Sequence, residues 1–235
     1  DWKAIRGWLG ARAVLVTGAG GSIGLELCRQ CARHGAHRIT LLEIDELALL
    51  TAETELKRDF PGIECILVLG DCGDPAVIAY ALRKSEPEAV FHAAAYKQVP
   101  LLQGQLREAV RNNVLATDVV ARACRDAKVA TFVLISTDKA VDPVNVLGAT
   151  KRLAEMVCQG LVDPRSTRMV IVRFGNVLDS AGSVVPLFRE QIRRGGPVTV
   201  TDRDVTRYFM TIPEACQLIL QASSIGAQQA VYTLD

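Results

Sequence analysis

Asp138 and Lys139 place an acid and a base side by side, directly after the apolar run Val133-Leu-Ile135. A carboxyl group that holds its proton can protonate a leaving hydroxyl, and an amine that has lost its proton can remove one from carbon. Desolvation or a neighbouring cation such as Lys151 favours the neutral amine, and a closed apolar site favours the protonated carboxyl. The pair is therefore a candidate for acid–base catalysis. The alternative is a pair of solvated charges in a turn.

A glycine-rich turn, Thr17-Gly-Ala-Gly-Gly-Ser-Ile-Gly24, lies between the apolar run 13–16 and a stretch of helical spacing. Strand, glycine turn and helix form the context in which such a sequence binds a dinucleotide. Glycines let the pyrophosphate approach the helix N-terminus, where free N–H groups favour anions. A purely structural turn is the alternative. We expect the pyrophosphate to contact Gly18, Gly21, Ser22, Ile23 and Gly24.

Glu43 ends the next apolar run, about 20 residues beyond the glycines, where a carboxylate accepts a hydrogen bond from the ribose 2′-hydroxyl. A carboxylate there repels a 2′-phosphate, and no arginine follows at position 44 or 45. The sequence therefore favours NAD as cofactor over NADP, with NADP left open. The alternative for Glu43 is a surface charge at a strand end.

Short apolar runs alternate with stretches of helical spacing, which predicts a doubly wound parallel sheet of the Rossmann type, covered on both faces. The predicted strands are 13–17, 38–43, 64–69, 89–92, 131–135 and 169–173, and the predicted helices are 22–34, 46–57, 75–84, 106–127 and 146–160. After Arg173 the pattern changes to an irregular loop, a helix at 184–194, and shorter segments at 198–200, 209–212, 214–223 and 230–234. We therefore expect a nucleotide-binding core at 1–175 and a partial substrate-binding lobe at 176–235.

Composition excludes several classes of protein. A net charge of +1 gives no reason to expect nucleic acid as a partner, and no apolar run reaches the roughly 18 residues that a membrane span requires. The N-terminus lacks the apolar region of a signal peptide. Seven scattered cysteines fit a reduced, cytoplasmic compartment. Cys28 and Cys31 form no zinc site without a second pair, so we expect small core residues there and no metal.

Several longer strings resemble the extended short-chain dehydrogenase/reductase superfamily and, more narrowly, the nucleotide-sugar 4,6-dehydratases that act on UDP-N-acetylglucosamine. The strings are TGAGGSIG (17–24), HAAAYKQVP (92–100), NNVLAT (112–117), STDKAVDPVNVLGATKRLAE (136–155), VRFGNV (172–177), GSVVPLF (182–188) and TRYFMTIPEA (206–215). The glycine turn is specific only to the superfamily, whereas STDKA with GATK and TRYFMTIPEA are much narrower. The resemblance covers residues 13–235 and implies a lyase of polysaccharide or capsule synthesis.

The resemblance implies a role for each site residue. Asp138 is the acid that protonates the C6 hydroxyl, Lys139 is the base at C5, and Thr137 hydrogen-bonds the C4 hydroxyl. Lys151 holds the nicotinamide ribose, with an exposed helix lysine as the alternative, and the alternative for Thr137 is a plain strand-end threonine. Asp71 accepts from the adenine amino group, although an N-cap is its rival role and Asp74 is better placed for that. The cofactor site also includes Cys72, Ala93, Ala94, Asn113 and Ser136. The sugar and its diphosphate bind Lys97, Asn176 and Arg207, with a surface charge as the alternative for Arg207.

The chain departs from the family pattern at several positions. The superfamily's active site has Tyr-x-x-x-Lys, but Leu147 stands four residues before Lys151. Leucine carries no proton, so the C4 hydroxyl needs another base. Asp179 stands where glycine is usual, and Gln103-Gly104-Gln105 replaces a more typical Glu-x-Asn-Pro. His92 is read as a packed histidine.

Two alternatives to a dehydratase remain open. The first is a nucleotide-sugar 4-epimerase, which relies on the tyrosine that is Leu147 here. The second is a non-catalytic NAD-binding regulatory module. The resemblance implies a homo-oligomer and a UDP-sugar as partner. It also implies a cytoplasmic location, at the cytoplasmic face of the inner membrane if the chain is part of a longer, membrane-anchored protein.

Overall fold

A computed structural model describes residues 2–161, 167–200, 202–225, 227 and 230–234. The strands of these residues are β1 (Ala13–Thr17), β2 (Arg38–Glu43), β3 (Glu64–Leu69), β4 (Ala89–His92), β5 (Thr131–Ile135), β6 (Arg168–Phe174), β7 (Asn176–Val177), β8 (Phe209–Met210) and β9 (Val231–Leu234). The helices are α1 (Trp2–Leu9), α2 (Ser22–Arg33), α3 (Glu46–Asp59), α4 (Pro75–Ser85), α5 (Val99–Gln103), α6 (Leu106–Val110), α7 (Ala116–Asp126), α8 (Val146–Gly160), α9 (Val184–Arg193) and α10 (Ile212–Ile225).

The main sheet has seven parallel strands in the order β3-β2-β1-β4-β5-β6-β9. The chain crosses from one half of the sheet to the other between β3 and β4, so the carboxyl ends of β1 and β4 meet at the point where the strand order reverses. Ligands of doubly wound sheets bind in the crevice at that point. The predicted fold class is confirmed.

Helices cover both faces of this sheet. On one face α1, α2, α3 and α10 enclose a buried apolar cluster, and on the other α4, α7 and α8 enclose a second one. Every residue of β1, β4 and β5 is buried. Strands that are buried on both sides form continuous apolar runs, which explains why the predicted strands agree with the structure to within one residue at each end.

One predicted helix is interrupted. The stretch 106–127 consists of α6, a π-helical turn at Arg111–Leu115 and α7. A π turn adds a residue to the helical repeat and is frequent at functional sites. Here it contains Asn113, whose side chain is buried.

The C-terminal region divides between the sheet and a small outlying unit. β7 and β8 form a two-stranded parallel sheet, and α9 has no buried residue. Residues 198–200, predicted as a separate segment of the lobe, lie in extended chain without strand pairing. By contrast, β9 pairs with β6 and α10 packs on α2, so both belong to the sheet layers. The predicted boundary after residue 175 stays a prediction.

Candidate active site

The glycine-rich turn runs from the end of β1 into the first turn of α2. Gly18 has a φ of 67°, in the left-handed region, and a Cβ on it would lie 2.8 Å from the Ala94 Cα. Only glycine fits this close approach to the chain after β4. The N-terminus of α2 begins at Ser22 with no side-chain cap, so its first N–H groups remain available to an anion.

Glu43 ties this turn to the end of β2. Its Oε2 accepts a hydrogen bond from the Gly20 N–H at 3.0 Å, and its Oε1 accepts from the N–H groups of Ile44 at 2.9 Å and Asp45 at 3.2 Å. The carboxylate therefore organises the turn as well as presenting negative charge. A carboxylate offers about four acceptor positions, which leaves capacity for one more donor.

A cleft of about 690 Å³ opens beside Gly18 and Glu43 at the carboxyl ends of the strands. Asp71, Cys72 and Ala94 also line it. The Asp71 Oδ1 accepts from the Gly73 N–H at 2.8 Å, while Asp74 is the N-cap of α4, as the sequence analysis favoured. Burial raises the pKa of the Cys72 thiol to about 12, so Cys72 lines the cleft as an uncharged group.

His92 lies buried at the end of β4 between two threonines. Its Nδ1 is 2.7 Å from the Thr17 Oγ1, and its Nε2 is 3.0 Å from the Thr117 Oγ1. Burial, with a smaller effect of Lys151, lowers the pKa of His92 to about 3. The imidazole is therefore neutral at physiological pH and structural.

The hydrogen bonds around His92 form a continuous series, and the groups at the two ends of the series fix the direction of each bond. Thr117 donates its proton to the Asn113 carbonyl at 2.9 Å, so it accepts from the His92 Nε2–H. The Nδ1 of the neutral ring is then an acceptor, and Thr17 donates to it. Thr17 in turn accepts from the Ala94 N–H at 3.3 Å. These hydrogen bonds fix the His92 ring as the Nε2–H tautomer.

Asn113 connects the π-helical turn to the loop after β4 and to α8. Its Oδ1 accepts from the Tyr96 N–H at 2.9 Å, and its Nδ2 donates to the Tyr96 carbonyl at 3.0 Å and to the Thr150 Oγ1 at 3.2 Å. The two bonds to Tyr96 are direct backbone contacts. Asn113 therefore positions the segment that carries Lys97 relative to the helix that carries Lys151.

Thr137, Asp138 and Lys139 share one short turn after β5. The Asp138 Oδ1 accepts from the Thr137 Oγ1 at 2.9 Å and from the Lys139 Nζ at 2.9 Å. The Lys139 Nζ also donates to the Asn176 Oδ1 at 3.2 Å. These four side chains, which the sequence analysis assigned to catalysis and substrate binding, are thus brought together in one hydrogen-bonded group.

Helix α8 packs directly on this turn. Asn145 caps its N-terminus by accepting from the Gly148 N–H at 2.8 Å. A Cβ on Gly148 would overlap the Lys139 carbonyl, so glycine lets the helix approach the turn that carries residues 137–139. Lys151, one turn further, is 4% exposed, and burial lowers its pKa to about 8.

Leu147 is 6% exposed and packs in an apolar cluster with Leu102 and Ala109. A side chain held in this cluster has no proton to exchange. The residue therefore contributes packing at the position where the superfamily has tyrosine.

The remaining predicted substrate residues are dispersed. Lys97 lies on the loop after β4, where desolvation by the surrounding protein lowers its pKa. Arg207 is exposed and donates to the Thr206 carbonyl at 2.7 Å, and it precedes Tyr208, whose carbonyl accepts from the Asn176 N–H at 3.1 Å. A loop from β7 to α9 crosses the site, since the Ala181 N–H donates to the Ser22 Oγ at 3.0 Å and the Gln98 Nε2 donates to the Gly182 carbonyl at 3.2 Å.

Sequence reasoning missed a buried carboxylate beneath the site, Glu155. Its side chain is fully buried and binds Ser136, Arg173 and Arg152. The only sequence signal is its position four residues after Lys151, on the same face of α8. Ser136, expected at the cofactor, instead donates to this carboxylate.

The described residues gather no cluster of three or more histidine, cysteine, aspartate or glutamate side chains suited to a metal ion. Over the same residues, no helix is both long and apolar enough to cross a membrane.

Residues 14–235 match the model of a family described as polysaccharide biosynthesis protein. The chain belongs to this family. It is 48% identical over 237 residues to the capsular polysaccharide biosynthesis protein CapD of Staphylococcus aureus, an alignment that covers 100% of this chain and 40% of CapD. It is 47% identical over 236 residues to the probable polysaccharide biosynthesis protein EpsC of Bacillus subtilis (strain 168), with coverage of 100% and 40%. The chain thus spans about 40% of the length of these relatives.

The fold agrees with this family assignment. The X-ray structure of Pen from Bacillus thuringiensis superposes with a TM-score of 0.91 at 29% identity, over 97% of this chain and 72% of that one. The chain has the fold of the extended short-chain dehydrogenases/reductases.

Proposed function

We propose that this chain is the catalytic domain of a nucleotide-sugar 4,6-dehydratase acting on UDP-N-acetylglucosamine or a related UDP-hexosamine. The observation that carries the proposal is the contact of Thr137, Asp138 and Lys139 on one turn, which places a hydroxyl, an acid and a base within hydrogen-bond distance of each other. The similarity to CapD and EpsC supports a reaction in polysaccharide synthesis.

The residues present fit NAD as cofactor. Gly18 leaves space that a Cβ would fill, and the N-terminus of α2 has no side-chain cap. Glu43 and Gly18 line the same cleft. These groups would hold the pyrophosphate and the adenosine ribose, and Lys151 would hold the nicotinamide ribose. When bound, NAD+ supplies the hydride acceptor for sugar C4 and the hydride donor for C6.

Thr137 and Asp138 provide the base for the C4 hydroxyl that Leu147 cannot provide. The Thr137 hydroxyl donates to the Asp138 carboxylate at 2.9 Å. A proton taken by Thr137 from the C4 hydroxyl can therefore pass to Asp138 as the threonine gives up its own. Asp138 then holds the proton that it needs as an acid.

Lys139 and Asp138 then act on the two adjacent carbons. The C4 ketone acidifies the C5 proton, which the Lys139 amine removes, while Asp138 gives its proton to the C6 hydroxyl as it leaves as water. This step ends with a lysine ammonium beside a carboxylate, the pairing seen at 2.9 Å. When hydride reaches C6, Lys139 returns a proton to C5. One water is lost and the protons balance.

Asn176, which accepts a hydrogen bond from Lys139, is proposed to bind the sugar. Lys97 and Arg207 are proposed for the diphosphate, because charge-assisted bonds suit phosphate oxygens. In this proposal the substrate lies beside the loop from β7 to α9, which contacts Ser22 and Gln98. A homo-oligomer stays a prediction.

The proposal is tested by incubating the full-length protein with NAD+ and UDP-N-acetylglucosamine and following the 4-keto-6-deoxy product by NMR. We expect that product, with solvent hydrogen incorporated at C5. Formation of UDP-N-acetylgalactosamine without loss of water would establish a 4-epimerase instead. Recovery of unchanged UDP-sugars from folded, NAD-bound protein would favour a non-catalytic module.

A further inference from the structure

Glu155 lies where α8, β5 and β6 meet, directly beneath the catalytic turn. Its carboxylate accepts from the Ser136 Oγ at 2.6 Å, the Arg173 Nε at 2.8 Å and Nη2 at 2.5 Å, and the Arg152 Nη1 at 3.1 Å. Burial alone would raise the pKa of Glu155, but the hydrogen bonds from Arg173, Ser136 and Arg152 outweigh it, so the pKa is lowered. The group is therefore a buried anion.

A buried ion pair is weak evidence for stability, because desolvation offsets most of the attraction. What distinguishes Glu155 is the set of segments that it joins. Ser136 immediately precedes Thr137, and its N–H donates to the Val172 carbonyl at 2.7 Å. Arg173 follows Val172 and lies three residues before Asn176, the partner of Lys139. One carboxylate thus links the strand ends on both sides of the Lys139 amine.

The same carboxylate is the ion-pair partner of the Arg173 guanidinium. Removing its negative charge would leave that guanidinium without this partner at the end of β6.

We propose that Glu155 is a positioning residue, which sets the placement of Thr137, Asp138 and Lys139 against Asn176 through Ser136 and Arg173. This inference rests on the proposed dehydratase function. It predicts that a change at Glu155, which hydrogen-bonds none of the proposed reacting groups, alters the chemical step.

The test uses the full-length protein with Glu155→Gln, Ser136→Ala and the double variant. Glutamine keeps the size and one acceptor oxygen but removes the charge. We expect kcat to fall roughly 10- to 100-fold with little change in KM, since misplacement of catalytic groups by about 1 Å costs up to about 100-fold. If the fold loss of kcat in the double variant is smaller than the product of the two single losses, Glu155 and Ser136 act through the same linkage.

Arg152→Gln is the matched control, because Arg152 binds the same carboxylate from the helix surface and its side chain is 39% exposed. We expect it to change kcat by less than about twofold, as exposed ion pairs contribute little. Wild-type kcat in folded, NAD-bound Glu155→Gln would overturn the positioning role while leaving the dehydratase intact. Absence of 4-keto product from the wild type would overturn the proposed function itself.

Discussion

The Lys139 Nζ lies 2.9 Å from the Asp138 Oδ1, and that same oxygen accepts the Thr137 hydroxyl at 2.9 Å. A single carboxylate oxygen therefore connects the group proposed to take the C4 proton with the group proposed to take the C5 proton. The predictions below separate the roles of the three side chains.

Lys139→Ala should abolish the 4-keto product and slow exchange of the C5 proton with deuterated solvent, because the base is gone. General-base catalysis contributes roughly 100- to 10,000-fold, so kcat should fall by that factor. Cofactor reduction in a single turnover should persist, since oxidation at C4 precedes the missing step.

Asp138→Asn, which can neither receive nor give the proton, should slow both cofactor reduction and water loss. Wild-type turnover in both variants would show that the roles are wrongly assigned.

Thr137→Val removes the hydroxyl that passes the C4 proton to Asp138 while keeping the side-chain shape. We expect cofactor reduction to slow by roughly 100-fold or more, measured as the rise in nicotinamide absorbance after mixing with UDP-sugar. Thr137→Ser keeps the hydroxyl and serves as the control. If the valine variant reduced its cofactor at the wild-type rate, the proton would have to leave C4 by another route.

Leu147→Ala should remain an active enzyme. Leu147 packs against Leu102 and Ala109 and exposes only 6% of its surface, so truncation should lower the free energy of unfolding by about 2–5 kcal/mol. Denaturant unfolding checks the stability loss, and product formation at low temperature checks activity. A variant that is folded, NAD-bound and inactive would indicate a chemical role for this position.

The affinity for NAD+ should depend on the charge of Lys151. Its folded pKa is about 8, lowered by burial, so the ammonium donates to ribose hydroxyls below that pH and loses its charge above it. We expect affinity to be constant on the acidic side and to decline as pH rises through about 8. Calorimetric titration from about pH 6.5 to about pH 9.5 measures this. In Lys151→Arg, whose guanidinium stays protonated throughout, the decline should disappear.

Glu43 should select NAD+ over NADP+. Its carboxylate accepts three backbone N–H groups and lines the cleft. Glu43→Gln removes the repulsion of a 2′-phosphate and should narrow the affinity ratio between the two cofactors. Glu64→Gln, an exposed change at the opposite end of the adjacent strand β3, is the control. Equal affinity of the wild type for both cofactors would refute the selection.

The sheet and the glycine turn could be predicted because each depends on local sequence. A strand buried on both faces requires an unbroken apolar run, as at Val133-Leu-Ile135, and a close backbone approach requires glycine, as at Gly18. The acid–base pair was also visible, because Asp138 and Lys139 are adjacent in the chain.

The contacts beneath the site depend on tertiary packing and could not be predicted in this way. No helix breaker marks the π-helical turn, whose Asn113 side chain is bound to the Tyr96 backbone. A glutamate on a helix is usually exposed, so Glu155 appears as a buried anion only once Arg173 is placed beside it.

The hydrogen-bond chain through His92 has a backbone N–H at one end, from Ala94, and a backbone carbonyl at the other, from Asn113. Neither group gives up or accepts a proton under physiological conditions. His92 therefore has no route by which to pass a proton to the substrate. We expect solvent isotope effects on turnover to arise from groups other than this ring, among them Thr137, Asp138 and Lys139.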